Sequence, residues 1–125
     1  MYLLDTHTLL WYLRDSDELS PTARRTIDNA DEVFVSIASF WEIAIKQSLG
    51  KIRFDASMQE LAALCREHDI QILDIRPVAL ERIRTLPDMH RDPFDRLLVA
   101  QALEKDLVIV TRDRIIPQYK VKTIW

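Results

Sequence analysis

The stretch from His90 to Asp113, HRDPFDRLLVAQALEKDLVIVTRD, constrains the fold more than any other. Asp92 followed by Pro93 is an N-cap with proline at the first helical position, where a missing N–H is harmless. Leu97, Leu98, Val99, Ala100, Ala102 and Leu103 follow, interrupted only by Gln101. A helix that is apolar on nearly every side has to be enclosed by other elements. Leu107 to Val110 is a short branched run, the pattern of a parallel strand buried on both faces. Thr111, Arg112 and Asp113 end it. Asp95, in the first helical turn, and Asp113, after the strand, are thus fixed to rigid core elements.

The rest of the chain alternates in the same way. Met1–Leu4 reads as a strand ending at Asp5, and Thr6–Leu13 as a helix with Leu9, Leu10 and Leu13 on one face. Ser20-Pro21 opens a helix to about Ala30. Val33–Val35 is a second strand, and Ser36 caps a helix from Ile37 to about Gln47 that carries Glu42. Gly50 fits a helix C-terminal stop. Lys51–Phe54 alternates polar and apolar, as a short extended piece would. Ser57–His68 is an amphipathic helix, Ile70–Ile75 a third strand, and Pro77–Leu86 a helix stopped by Pro87. Val121–Trp125 suits a last strand at a sheet edge. Strands alternating with helices imply one α/β domain over residues 1–125, with a mainly parallel sheet.

Composition excludes several classes of function. Gly50 is the only glycine, whereas a P-loop or dinucleotide fingerprint needs several for close phosphate approach. Cys65 is the only cysteine, which leaves no intrachain disulfide and no cysteine-based zinc site and fits a reducing cytoplasm. No apolar run is long enough to span a bilayer, and the amino end lacks the pattern of an export signal. A net charge of −3 argues against a simple basic nucleic-acid-binding module. It does not argue against a nuclease whose acidic centre is neutralised by metal ions.

Parallel sheets gather functional groups beyond the carboxyl ends of their strands. Asp5 follows the first strand, Glu42 lies on the helix after the second, Asp95 opens the buried helix, and Asp113 follows the fourth strand. Each has an ordinary reading. Asp5 equally fits a helix cap, Glu42 a surface pair with Lys46, Asp92 and Asp95 helix-start acids, and Asp113 a turn. The functional reading rests on the set: converging carboxylates repel one another unless a cation sits between them. All-oxygen ligands select Mg²⁺ or Mn²⁺. Thr6, Ser36 and Thr111 are accessory candidates as hydrogen-bond partners of water at such a site. Arg91, Arg96, Arg112 and Arg114 are the candidates for substrate phosphate. His90 reads as a solvated loop histidine, and Trp11, Trp41 and Trp125 as packing residues.

LLDTHTLLWYL (Leu3–Leu13), SFWEIAIKQSLGKI (Ser39–Ile52) and HRDPFDRLLVAQALEKDLVIVTRD together resemble a PIN-domain protein. The resemblance runs end to end, including the closing YKVKTIW, and is greatest to the VapC-type toxins of bacterial toxin–antitoxin pairs that carry a DPFDR motif. It implies a three-layer α/β/α fold, Mg²⁺-dependent endoribonuclease activity, a homodimer and a cognate antitoxin. It places the family's acids on Asp5, Glu42, Asp95 and Asp113, as metal-holding and catalytic residues, with Asp92 accessory. Water activated by one or two ions would attack phosphorus in line, leaving a 3′-hydroxyl and a 5′-phosphate. The residues by themselves also admit a non-catalytic RNA- or protein-binding module, or a metal-dependent DNA nuclease.

Overall fold

The computed structural model describes residues 1–125. In chain order its elements are β1 (Tyr2–Leu4), α1 (Thr6–Leu13), α2 (Pro21–Asn29), β2 (Val33–Ser36), α3 (Ile37–Ser48), α4 (Met58–Glu67), β3 (Ile70–Leu73), α5 (Pro77–Arg84), α6 (Pro93–Lys105), β4 (Val108–Val110), a 3-10 turn (Ile116–Tyr119) and β5 (Thr123–Ile124). The strands pair in the order β3-β2-β1-β4-β5, and every pairing is parallel. β1 is therefore the central strand. Chain order reverses there, with β2 on one side and β4 on the other.

A parallel sheet needs crossover helices, which cover both its faces. Leu4, Val35, Ile70 and Val110 pack with Leu9 and Leu10 of α1, Ile27 of α2, Ile43 of α3 and Leu61 of α4. Leu3, Leu73 and Ile109, on the opposite face, pack with Leu98, Val99 and Ala102 of α6 and with Ile116 and Tyr119 of the 3-10 turn. The result is the expected three-layer α/β/α arrangement. Residues Leu97 to Ala102 of α6 are all buried, as an all-round apolar helix requires. The polar Gln101 is accommodated by donating its amide to the Asp74 carbonyl at 3.2 Å. No helix is long and apolar enough to cross a membrane.

Three local expectations differ from the structure. Residues 51–57 form no strand. Ile52 and Phe54 pack against the core, which produces the alternation, while the Gln47 side chain takes the Phe54 and Ala56 carbonyls and Arg14 takes that of Arg53. β3 and α5 each stop two residues early, at Leu73 and Arg84. The 3-10 turn at Ile116–Tyr119 has no counterpart in the sequence reading; Asp113 caps its approach, accepting from the Ile115 and Ile116 amides at 2.7 and 2.9 Å.

Leu98 is 1% exposed in the middle of α6. Leu98→Ala is expected to lower unfolding free energy by roughly 2–5 kcal/mol, the usual range for a leucine-to-alanine cavity. Denaturant titration measures this, and a loss below about 1 kcal/mol would show α6 to be less enclosed than described.

Candidate active site

At the carboxyl ends of the central strands an open cleft of about 320 Å³ is lined by Asp5, Thr6, Glu42, Lys46, His90, Asp92, Asp95, Arg112 and Asp113, together with His7 and Trp11. A larger hollow, about 850 Å³, opens at the amino ends of β2 and β3 between Tyr12, Asp28, Arg66 and His68. The carboxylate cleft lies where the order of a parallel sheet reverses, the position at which such folds carry ligands.

Asp5 directly follows β1 and has two roles at once. Its Oδ1 accepts the Thr8 amide at 2.8 Å and so caps α1. Its Oδ2 accepts the Thr111 hydroxyl from the end of β4. The side chain is nearly fully buried, and burial pushes its pKa up against the opposing hydrogen bonds from Thr111 and Thr8. Thr111 in turn accepts the Asp113 amide at 3.0 Å, so one hydroxyl couples the ends of two adjacent strands.

Glu42 is 5% exposed on the inner side of α3. The Thr6 hydroxyl lies 2.6 Å from its Oε1 and 2.9 Å from Ser39 Oγ. A carboxylate only accepts, so the Thr6 proton goes to Glu42 and Ser39 donates to Thr6. Lys46, one turn on, donates to Glu42 Oε2 at 2.8 Å. The expected Glu42–Lys46 pair thus exists, but with its acid buried and both residues in the cleft.

The third group comes from the loop before α6. Asp92 Oδ1 caps that helix, accepting from Phe94 at 2.8 Å and Asp95 at 3.4 Å. The Asp92 amide donates to His90 Nδ1 at 3.1 Å. An accepting nitrogen carries no proton, so the His90 hydrogen is on Nε2. That N–H lies 3.0 Å from Asp113 Oδ2 and 3.1 Å from Asp95 Oδ2. Metal-type donor atoms of His90, Asp95 and Asp113 all lie within 4.8 Å of one another. In this tautomer, however, Nε2 has no lone pair for a cation. His90 is a donor that holds two acids together, and the carboxylates are the groups that could hold a cation.

Their electrostatics differ. Partial burial pushes Asp113 up, but the His90 hydrogen bond and the Ile116 and Ile115 amides outweigh it, leaving its pKa below the usual carboxylate value. Asp95 is pushed up to about 7, first by burial, then by the charges of Asp92 and Asp5, with His90 opposing and Asp113 adding. Such a cluster is suited to holding a divalent cation, which removes the repulsion that raises Asp95.

The structure thus brings Asp5, Glu42, Asp92, Asp95, Asp113, Thr6 and Arg112 to one cleft, with Thr111 bonded behind Asp5. Ser36 does not line it: its hydroxyl is buried and caps α3 through the Ala38 amide. Arg96 is tied to the Pro87 and Leu86 carbonyls and to Tyr119 Oη, so its donors bind protein rather than the cleft. Arg91 and Arg114 are exposed and outside the lining. His90 is 9% exposed, not a solvated loop residue, and Trp41, though 61% exposed, packs edge-on against Phe94 with ring centres 5.3 Å apart. A histidine two residues before a helix cap carries no local signal of burial; only the fold, which brings Asp113 to it from 23 residues away, reveals its place.

A family model described as PIN domain matches residues 2–122. Ribonuclease VapC22 of Mycobacterium tuberculosis is 31% identical over 113 residues, 90% of this chain and 86% of that protein. The fold is shared with VapBC2 from Rickettsia felis bound to a promoter DNA fragment, at TM-score 0.70 and 11% identity over 98% of this chain and 96% of that one. It is shared as well with a toxin–antitoxin complex from Klebsiella pneumoniae, at TM-score 0.62 and 16% identity over 100% and 97% of the two chains. With four acids at the ends of a reversing parallel sheet and a match spanning nearly its whole length, the chain belongs to the PIN-domain family.

Proposed function

We propose that this protein is a metal-dependent endoribonuclease and the toxin of a toxin–antitoxin pair. The observation that carries the reading is the convergence of Asp5, Glu42, Asp95 and Asp113, with Asp92 beside them, on one cleft. RNA as substrate follows from the ribonuclease among its relatives. A hard cation, Mg²⁺ or Mn²⁺, fits a donor set made only of carboxylate oxygens. When bound, such an ion supplies Lewis acidity to water and to the phosphodiester, whose hydrolysis leaves a 3′-hydroxyl and a 5′-phosphate.

The chain's own residues supply position. Thr111 and the Thr8 amide fix Asp5, and Thr6 and Lys46 fix Glu42. His90 sets the spacing of Asp95 and Asp113. Arg112 is the one arginine of the four candidates in the cleft, and it is already paired with Glu18 at 2.9 Å. Lys46 is likewise held, by Glu42 at 2.8 Å, so neutralisation of substrate phosphate falls mainly to the cation.

A paired experiment tests the metal reading. RNA cleavage should require Mg²⁺ or Mn²⁺ and stop in EDTA, with matched DNA cut far more slowly. Asp95→Asn should lower the rate more than about 100-fold, beyond the range of indirect metal-site changes. Asp92→Asn keeps a good cap and should lower it less than about tenfold. The same variants should diverge in metal-free melts. Asp95 has a folded pKa near 7 against 3.8 unfolded, so the folded chain binds the extra proton between those values. Its ionisation therefore removes stability as pH rises from about 4 to about 7. Asp95→Asn should melt higher than the parent at pH 8 in EDTA, with the difference shrinking toward pH 5. Parental cleavage by Asp95→Asn, or parallel melting curves, would remove it from the cluster.

Two partners belong to the reading. The metal-free cleft is acidic, so an antitoxin would block it with an Arg or Lys paired to the carboxylates. Expression alone should slow growth of the native host, and co-expression of the neighbouring small gene should restore it; harmless overexpression of protein that cuts RNA in vitro would count against the toxin role. A second copy of the chain is the other partner. Ile37, Trp41 and Ile45 on α3 and Leu49 at its C-cap stand four residues apart, at 37%, 61%, 36% and 59% exposure, an apolar stripe suited to a two-fold contact. Trp41→Glu should convert a dimer to a monomer in sedimentation; a monomeric parent would refute the dimer.

A further inference from the structure

Beside the carboxylates the cleft carries a second group with no part in holding a cation. His7 is exposed in the first turn of α1, and its ring lies 5.4 Å from that of Trp11 at an interplanar angle of 30°. Trp11 meets Trp125 edge-on at 5.9 Å. The Arg112 guanidinium lies over the Trp11 ring, 4.5 Å from its centre. His7, Trp11 and Arg112 all line the cleft that holds Asp5 and Asp95.

The geometry of Arg112 decides what this group offers. Its Nη1 donates to Glu18 at 2.9 Å, and the guanidinium carbon sits over the Trp11 ring. The Glu18 pair and the ring beneath hold the group in place, while the donors on Nη2 and Nε can still meet phosphate. Its flat face remains, and flat guanidinium and imidazole faces are surfaces on which unstacked bases lie. Trp11 and Trp125 back the group with large, stiff rings that lose little freedom on binding.

Charge gives this surface a purpose. Five acids line the cleft against the cations Lys46 and Arg112, both of which are already paired. A nucleic-acid backbone gains little from such a wall except through a metal ion. Contact with the bases, which carry no charge, is the attraction left to the protein itself. Resting on the ribonuclease reading, we infer that His7 and Arg112, backed by Trp11, form a stacking platform for an unpaired nucleobase next to the phosphate held at the carboxylates. Such a platform takes a base that has left its stack, because a base held in a duplex cannot reach it.

The test compares two decamers of equal charge, oligoadenylate and a ribose-phosphate strand without bases, binding to Asp95→Asn protein in Mg²⁺. The expected result is about tenfold tighter binding of the decamer with bases, accompanied by quenching of tryptophan fluorescence. Pairing the adenylate with its complement should abolish both. His7→Ala, at an exposed position, should reduce the preference to about twofold, and Trp11→Leu should remove it. Arg112→Ala should weaken both strands through lost charge, and the adenylate more. Equal binding of the two strands, no binding of either, or a preference that survives both His7→Ala and Trp11→Leu overturns the platform. Cleavage by the unmodified protein is scored separately. RNA cut without a base preference removes the platform and leaves the nuclease, whereas a base preference without cleavage does the reverse.

Discussion

A carboxylate buried at the end of the central strand is the constraint on which the site depends. Asp5 sits at the end of β1 with burial working against its charge. A buried carboxylate survives when hydrogen bonds replace the water it has lost. Here the replacements come from near and far in the chain: the Thr8 amide in the first turn of α1 and the Thr111 hydroxyl at the end of β4. Thr8 also donates its hydroxyl to the Val110 carbonyl at 2.9 Å, so α1 is pinned to β4 through the same two turns. Thr6, between Asp5 and His7, reaches the other way to Glu42. Asp5, Thr6 and Thr8, just after β1, thereby connect the acid of α3 to the strand on the opposite side.

A capping acid keeps an oxygen for a second role, because a carboxylate has two oxygens and each capping bond uses only one. Asp5 gives Oδ1 to α1 while Oδ2 meets Thr111, and Asp113 gives Oδ1 to the 3-10 turn while Oδ2 meets His90. Asp92 uses a single oxygen, Oδ1, for the start of α6. The bonds that terminate or start an element also fix the rotamer of the acid, and with it the direction of the second oxygen. Asp95 is the exception. No amide caps onto it, and His90 Nε2 is its one close protein partner. Its pKa is raised to about 7, first by burial and then by the charges of Asp92 and Asp5.

This division explains what the sequence could convey. The βα alternation, the buried α6 and the N-caps at Asp92, Ser20 and Ser36 are local signals, and the folded chain shows each of them. The acids were legible as a set because parallel sheets bring strand ends together. Of their partners, Lys46 was legible from helical spacing and Thr111 from its place at the strand end. The role of His90 and the burial of Glu42 come from contacts across the sheet and from the packing of a helix face, and neither leaves a periodic trace. Arg96 shows the converse: next to Asp95 in sequence, it turns away to the carbonyls before α6 and to Tyr119 Oη. Trp41 and Trp11 are both tryptophans on amphipathic helices, yet one is 61% exposed and the other half-buried beside an arginine. Side-chain identity and helical phase fix neither outcome, because each depends on what the next layer places opposite.

Asp95 is held among like charges because the rest of its helix cannot move. Favourable interaction with the helix start is worth roughly 0.3–1 kcal/mol, too little to offset its burial beside Asp92 and Asp5. Apolar contact is the larger quantity. Burying one leucine or valine contributes about 1.5–3 kcal/mol, and α6 buries Leu97, Leu98 and Val99 in succession, immediately after Asp95. A shift of the helix sufficient to separate the acids would draw these side chains from a close-packed core and release the Asp92 cap with them. The core consequently sets the positions of the carboxylates, and the carboxylates can respond only by changing protonation or by taking a cation. That asymmetry is why an enclosed, apolar helix and a repelling acidic cleft occur on consecutive turns of one short stretch of chain.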